Sequence, residues 1–258
     1  MRVNMAQLLD ERPWTLCNDP FPHVRARNVF VPELYVELAA AFEAILRGQV
    51  LPDWPAASFT RGMPNYDASG IAFDTHVGWP FNVFVSRAWH DMLARLFAVD
   101  ANGCIHGGLH HHAVGSSNGW IHNDLNPVWF ADIDGSDEIV IARQALCSYC
   151  EGHGPPAVRR REAVRAVAVI YYLNNPQWQP GDGGETGLYR TVRDAIEHPV
   201  AVVPPLNNSL VAFECTPGSY HTFRSNVRHP RNSVVIWLHV EKSAAIARWG
   251  ESALVRFS

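Results

Sequence analysis

Apolar residues recur at helical spacing in two segments of the first hundred residues. The first segment, residues 32–48, has Pro32 where a first helical turn would begin and Gly48 where a helix would stop. Its apolar residues fall on one face at intervals of three or four: Leu34, Leu38, Phe42 and Ile45. This pattern predicts an amphipathic helix that packs against a core.

The second helical segment covers residues 86–97, with Ser86 as its N-cap. Its inward-facing residues are predicted to be Trp89, Leu93 and Leu96. Between the two helices, residues 49–81 are rich in Pro, Gly, Asn and Asp, which predicts a long irregular segment. Residues 21–32 are predicted to be extended, and residues 243–249 to form a short helix.

After residue 100 the pattern changes to short apolar and β-branched runs separated by Gly, Pro and Asn, as in "RAVAVIYYLN" and "NSVVIWLHVEK". Many short strands with such turns predict an antiparallel sandwich or barrel. We therefore predict a mainly β fold with flanking helices. It would be a single domain over residues 1–258, with helical N-terminal support in residues 1–100 and a β-core in residues 101–242.

The composition is that of an ordinary globular protein: 47% of the 258 residues are hydrophobic, 18% are charged, and the net charge is −4. This balance gives no electrostatic reason to expect a nucleic-acid partner. No apolar run approaches the ~18–20 residues of a membrane helix, and no secretory signal is apparent. The five cysteines, an odd number, fit a reducing compartment. We expect a cytoplasmic protein without a membrane partner; the oligomeric state stays open.

The stretch "NGWIHNDLNP" (residues 118–127) places His122 two residues before Asp124. On one strand, these side chains would point to the same side. Two His and one carboxylate on one face of the metal are typical of non-haem Fe(II) sites. His221 is the best third ligand, because Arg231 and Ser233 follow it on one predicted strand. An Arg and a Ser on the same face can clamp a carboxylate.

This constellation, with "IYYLNNPQWQPGDGGETGLYR" between its two halves, resembles the Fe(II)/2-oxoglutarate-dependent oxygenases, specifically their prolyl-hydroxylase-like branch. The resemblance covers roughly residues 104–240, and "DPFPHVRARNVFVP" resembles the initial segment of many bacterial members. It implies a double-stranded β-helix, a cupin-like jelly roll, which the strand count supports independently. It also implies Fe(II) as cofactor, with 2-oxoglutarate and O2 as co-substrates.

Carried over residue by residue, the resemblance implies that His122, Asp124 and His221 bind iron. Arg231 and Ser233 would bind the far carboxylate of 2-oxoglutarate. Two more residues would contact the co-substrate. Tyr172 would line its pocket by strand parity and donate its hydroxyl, and His112 stands about where relatives often place a Tyr.

The implied reaction is oxidation, most often hydroxylation, of an unactivated C–H bond; desaturation and ring closure stay open. Asp124, in place of Gly or Ala, argues against a halogenase because it leaves no site for chloride. We expect a small-molecule substrate, an amino acid or a natural-product intermediate. A peptide or protein prolyl residue is the second alternative, and a non-catalytic cupin-like binding protein is the third. The predicted substrate contacts are Arg61, Asn65, Asn126 and Arg190.

Three further motifs have simpler interpretations. In "HHH" (110–112) we expect one side chain to face inward, since adjacent strand residues point to opposite faces. "CSYCEGH" could hold zinc through Cys147, Cys150 and His153, but no fourth ligand is specified, so reduced thiols are the default. "RRREAVR" (159–165) is predicted to be a solvated charge run at the end of an excursion over residues 125–165.

Overall fold

The computed structural model describes residues 4–63, 66–132 and 139–255. Its α-helices are α1 Met5–Leu8, α2 Pro32–Leu46, α3 Arg87–Leu96 and α4 Lys242–Trp249, and short 3-10 helices lie at Phe81–Val85 and Glu251–Ala253. Its strands are β1 Thr15–Cys17, β2 His23–Arg27, β3 Thr60–Met63, β4 Tyr66–Ala72, β5 Cys104–His112, β6 Pro127–Ala131, β7 Val140–Ile141, β8 Arg160–Tyr172, β9 Thr186–Tyr189, β10 Ala201–Val203, β11 Ser209–Glu214, β12 Tyr220–Phe223 and β13 Arg231–Glu241.

Two sheets form the β-core of the described residues. The larger has the order β1-β2-β11-β8-β13-β5-β4-β3, with β6 also paired to β8 and β7 to β5. The smaller has the order β10-β9-β12. The strands pair antiparallel, apart from the parallel pair β5–β7. This layout agrees with the antiparallel sandwich or barrel that the sequence predicts.

Strand β8 shows why the core has two compartments. Its side chains alternate: Val169 and Tyr171 pack with the helices, whereas Ile170 and Tyr172 join the cluster that includes Leu188 of the small sheet. A strand buried on both faces has a continuous apolar sequence, as "AVAVIYYL" does. The helices therefore support one face of the large sheet, and the other face is left to line the site.

Both long helices form where the pattern predicts them. The four predicted core residues of α2 are all buried. Ser86 caps α3 by accepting a hydrogen bond from the Trp89 backbone N–H at 3.2 Å. The prediction for Leu96 is wrong, because this last residue of α3 is 44% exposed and the buried face ends at Leu93.

The prediction of an irregular segment over residues 49–81 is partly wrong. β3 and β4 extend the large sheet there, with Ile71 opposite Leu109 of β5. Gly108 permits this close pairing, since a Cβ there would lie 2.2 Å from the Ile71 carbonyl oxygen. The polar, Gly-containing sequence of these edge strands hides their strand character.

The 125–165 excursion is likewise more ordered than predicted. β6 pairs with the first half of β8, and β7 pairs with β5. The described residues contain no helix long and apolar enough to cross a membrane.

Candidate metal centre and co-substrate pocket

His122 and His221 are brought together by an isolated antiparallel bridge, not by one long strand. The His122 N–H donates to the His221 carbonyl at 3.1 Å, and the His221 N–H donates back at 2.8 Å. The imidazole centroids are 4.5 Å apart. The sequence analysis placed His122 and Asp124 on one strand. Among the described residues no strand runs through them, but their side chains still converge with that of His221.

Asp124 completes a group in which one ligand atom from each of the three residues lies within 4.8 Å of the others. Its Oδ1 is 3.9 Å from His122 Nε2, and its Oδ2 is 3.5 Å from His221 Nε2. Each His points Nδ1 at a backbone carbonyl, that of Trp120 or of Ser219. A carbonyl can only accept, so Nδ1 carries the proton and Nε2 presents its lone pair beside the carboxylate.

The electrostatics of this group favour the protonation states that a metal requires. Burial raises the pKa of Asp124, but the Arg165 cation and then His221 outweigh burial and hold it well below its usual value. Burial, followed by repulsion from His221, lowers the pKa of His122 to about 4. At neutral pH the group therefore offers an anionic carboxylate and a neutral His122, as divalent metals need.

Arg165 was missed by the sequence analysis. It lies inside the predicted solvated run, yet it is buried and its Nη1 donates to Asp124 Oδ1 at 2.8 Å. Its guanidinium stacks 4.0 Å from the ring centroid of Trp237, whose Nε1 donates to Asp124 Oδ2 at 2.8 Å. Both oxygens of the carboxylate are thus fixed. Arg159 and Arg160 in the same run are exposed, so the sequence pattern does not show that Arg165 is buried.

The predicted clamp residues lie on the inner face of the large sheet. Arg231 is 2% exposed and sits opposite His112, and Ser233 is fully buried and sits opposite both His110 and Tyr172. Three buried polar atoms here have no hydrogen-bond partner among the described residues: Arg231 Nε, Ser233 Oγ and His112 Nε2. Since unpaired buried polar atoms are costly, this pocket fits a polar ligand such as a carboxylate.

Tyr172 and His112 both line this pocket, with different hydrogen-bonding capacities. The Tyr172 hydroxyl already bonds to Thr186 Oγ1 at 2.6 Å. His112 Nδ1 donates to the Asp67 carbonyl at 3.0 Å, so Nε2 is left as an acceptor. Burial, then Arg231, lowers the His112 pKa to about 2, which keeps the ring neutral. In this state His112 can accept a hydrogen bond from a ligand but cannot donate one to a carboxylate.

Comparison with known proteins finds a family model that matches part of the chain. A model of the 2OG-Fe(II) oxygenase superfamily matches residues 155–239, which include His221, Arg231 and Ser233. This part of the chain is similar to the 2OG-Fe(II) oxygenases. The family implies Fe(II), 2-oxoglutarate and O2 as its cofactor and co-substrates, and the two imidazoles and the carboxylate are a donor set that fits Fe(II).

Three solved structures of prolyl hydroxylases share the fold of this chain. A Pseudomonas putida prolyl-4-hydroxylase matches with a TM-score of 0.50 and 16% identity, over 84% of this chain and 91% of that one. A Trichoplax adhaerens prolyl hydroxylase, in complex with a hypoxia inducible factor peptide fragment, matches with a TM-score of 0.54 and 16% identity, over 88% of this chain and 86% of that one. The viral collagen prolyl hydroxylase of Paramecium Bursaria Chlorella virus-1 matches with a TM-score of 0.50 and 12% identity, over 86% of this chain and 98% of that one. No curated protein sequence matches the chain. The predicted double-stranded β-helix is confirmed.

Tyr66 is a second residue that the sequence analysis missed. It lies on β4, and its ring packs edge-on against His112 with centroids 5.0 Å apart. Burial raises the pKa of Tyr66 to about 12, an effect that Arg231 partly offsets. Its hydroxyl is therefore protonated beside the clamp and can donate a hydrogen bond. Residue 66 falls in the segment predicted to be irregular, so no strand parity pointed to it.

The four predicted substrate contacts are scattered. Asn126 is buried near Asp124, and its Oδ1 has no partner among the described residues. Arg190 is mostly exposed and pairs with Asp19 at 2.6 Å. Arg61 lies in β3 opposite Ser69, and its side chain is outside the described part of the structure. Asn65 lies outside the described residues.

The remaining motifs differ in outcome. The prediction of one inward side chain in "HHH" is wrong, because strand alternation buries both His110 and His112, while His111 bonds to Asn232 at 2.7 Å. Cys147 is buried and Cys150 is exposed. Within the described ranges, the only cluster of three or more His, Cys, Asp or Glu able to hold a metal is the group of His122, Asp124 and His221.

Proposed function

We propose that this chain is a 2OG-Fe(II) oxygenase that uses one Fe(II), held by His122, Asp124 and His221, and anchors 2-oxoglutarate through Arg231 and Ser233. The convergence of the three ligand side chains carries the proposal. Their ligand atoms lie within 4.8 Å of one another, although His221 is distant from the other two in sequence. When bound, Fe(II) and 2-oxoglutarate supply an oxidant from O2 as the co-substrate is converted to succinate and carbon dioxide.

The chain's own contribution is binding, orientation and the exclusion of water. Arg231 is buried against the rings of Tyr172 and Phe223, at 5.2 and 5.4 Å from their centroids. A guanidinium in this setting binds a carboxylate more strongly than an exposed one would, since water does not compete. Tyr172 forms one wall of the pocket in this proposal, and His112 and Tyr66, whose rings both contact Phe223 of β12, form another.

For the substrate, we favour a prolyl residue in a peptide or protein. The His122 side of the metal group reaches the surface: this side chain is 20% exposed, against 4% for Asp124. The ring of Trp120, which is 41% exposed, lies 5.3 Å from the His122 ring. An exposed indole beside an open edge suits an apolar ring on an extended chain. The structural relatives described as prolyl hydroxylases support the same substrate class.

A small amino acid or natural-product intermediate is the second candidate. The buried Asn126 favours it, because an unpaired Oδ1 close to Asp124 could contact a polar group of a small ligand. The non-catalytic cupin-like alternative has less support, since a metal-binding protein without 2-oxoglutarate has no use for a buried carboxylate clamp.

We also propose that residues 1–258 form one oxygenase domain. The pairing of β2 with β11 and of β4 with β5 supports it, because strands from the first hundred residues complete the sheet that carries the site.

The test is succinate formation from 2-oxoglutarate with Fe(II) under air. Succinate should form in the wild-type protein and be lost in Asp124→Ala. Proline-containing peptides and free amino acids are then compared for their ability to increase succinate formation, and mass spectrometry detects one added oxygen atom in the substrate. Stimulation by free amino acids but by no prolyl peptide would reverse the substrate preference. Absence of succinate with every substrate would favour the binding-protein alternative.

A further inference from the structure

The segment between β7 and β8, residues 142–159, places one side chain in the interior beside the metal group. The segment has no helix or strand, yet Tyr149 within it is only 1% exposed. The Tyr149 carbonyl accepts from the Trp129 N–H at 2.8 Å, and its ring packs against Phe130 with centroids 5.6 Å apart. A loop residue held this firmly has a fixed hydroxyl position.

The Tyr149 hydroxyl has two polar partners, and the chemistry of the second determines the direction of both bonds. It lies 3.0 Å from Arg165 Nε and 2.8 Å from His239 Nε2. His239 Nδ1 lies 3.0 Å from the Cys104 carbonyl, which can only accept. Neutral His239 therefore accepts at Nε2. Tyr149 donates to His239, and its oxygen accepts from Arg165.

Arg165 transmits this constraint to the metal group. The guanidinium is planar and rigid, so a hydrogen bond that fixes Nε also fixes the direction of Nη1. Nη1 donates to Asp124 Oδ1 at 2.8 Å. The resulting series is Cys104 carbonyl, His239, Tyr149, Arg165 and Asp124, and each of its polar side chains is buried.

We propose that Tyr149 is a positioning residue for the metal centre, acting through Arg165 on the Asp124 carboxylate. The 142–159 segment is then part of the active site, although none of its residues is in the proposed ligand set. This inference rests on the proposed function, since it takes Asp124 as a ligand. Partners of metal-bound carboxylates typically change metal affinity by about 10–100-fold when they are removed.

The test is a Co(II) titration of the whole protein without 2-oxoglutarate, followed by the visible absorption of the bound ion. Tyr149→Phe keeps the ring and its packing but removes both hydrogen bonds. We expect its Co(II) Kd to rise by about tenfold or more. The matched control is Tyr171→Phe, because Tyr171 is equally buried, lies on β8 and donates a single bond to Asn208 at 2.9 Å on the face away from the site. Its Co(II) Kd should stay within about twofold of wild type.

Arg165→Lys gives a second, independent measurement. If Tyr149 acts through Arg165, adding Tyr149→Phe to Arg165→Lys should weaken Co(II) binding far less than it does in the wild type. Additive effects, an unchanged Kd in Tyr149→Phe, or equal weakening in Tyr149→Phe and Tyr171→Phe would each overturn the proposal. Failure of the proposed function would give a different result: replacing His122 or His221 would then leave the Co(II) binding of the protein unchanged. Thermal unfolding of each variant verifies that it is folded.

Discussion

His221 Nε2 lies 3.5 Å from Asp124 Oδ2, and the backbone bridge between His221 and His122 fixes this distance. Two backbone hydrogen bonds, at 3.1 and 2.8 Å, hold the chain segments that carry these side chains together. The group is therefore preorganised, and a metal that enters it meets three donors already near their final positions. Preorganisation of this kind leads to the first prediction.

The wild-type protein should bind about one Co(II) or Fe(II) per chain, and His221→Ala should abolish tight binding, since two ligands remain of three. The measurement is equilibrium dialysis with metal analysis. His111→Ala is the control, because His111 follows His110 and precedes the pocket residue His112 in sequence, but its side chain bonds to Asn232 instead. Undiminished binding in a variant with Ala at His122, Asp124 and His221 would place the metal elsewhere.

The second prediction concerns stability and pH in the metal-free protein. Burial lowers the pKa of His110 to about 3, of His239 to about 3 and of His112 to about 2. Unfolded histidine titrates near 6.5. As pH falls below 6.5, the unfolded chain takes up protons that the folded chain does not, so the free energy of unfolding must fall.

The expected slope is up to about 1.4 kcal/mol per pH unit for each buried histidine. Denaturant unfolding between pH 7.5 and pH 5 measures it. His239→Gln should flatten the curve by removing one such group, whereas His153→Gln, at an exposed position, should leave the slope unchanged. A free energy of unfolding that stays constant or increases as the pH is lowered from 7.5 to 5 would show that these rings are not buried in the neutral state.

The sequence alone was enough to propose a site, but not the surroundings of that site. His122, Asp124, His221, Arg231 and Ser233 could be proposed from spacing, because a ligand set and a clamp need particular residue types. Arg165 and Tyr66 could not, because their roles depend on which strands become neighbours. Arg159 and Arg160 at the start of "RRREAVR" are exposed, and only the pairing of β8 with β6 and β13 shows which arginine of the run is buried.

The third prediction follows from Tyr66 beside the clamp. Tyr66→Phe removes a hydroxyl that can donate to a bound carboxylate, while the ring stays against His112. The loss of one hydrogen bond to a charged group, roughly 1.5–3 kcal/mol, should raise the Kd for 2-oxoglutarate about tenfold or more. Metal affinity without 2-oxoglutarate should not change. Tyr35→Phe, on the helix-covered side, is the control, and an unaltered Kd in Tyr66→Phe would restrict this residue to packing.

The last prediction tests the clamp itself. Arg231→Ala should raise the Kd for 2-oxoglutarate by tens- to thousands-fold, since removing the partner of a buried carboxylate costs on the order of 2–5 kcal/mol and ~1.4 kcal/mol corresponds to a factor of ten. Arg231→Lys should fall between, because lysine keeps the charge but loses the planar fork. Titration of 2-oxoglutarate into the Co(II)-loaded protein measures both.

Arg228 and Arg224 provide matched controls on the same stretch of chain. The Arg228 side chain is 69% exposed, and Arg224 is engaged with Glu185 at 3.7 Å. Neither shares the inner face of the sheet with Ser233, so Ala at either position should change 2-oxoglutarate binding far less than Ala at Arg231. If Arg224→Ala or Arg228→Ala weakened binding while Arg231→Ala did not, the co-substrate would enter from another direction. The assignment of His221 as the third ligand would then lose its support, because it rests on Arg231 and Ser233 as the clamp.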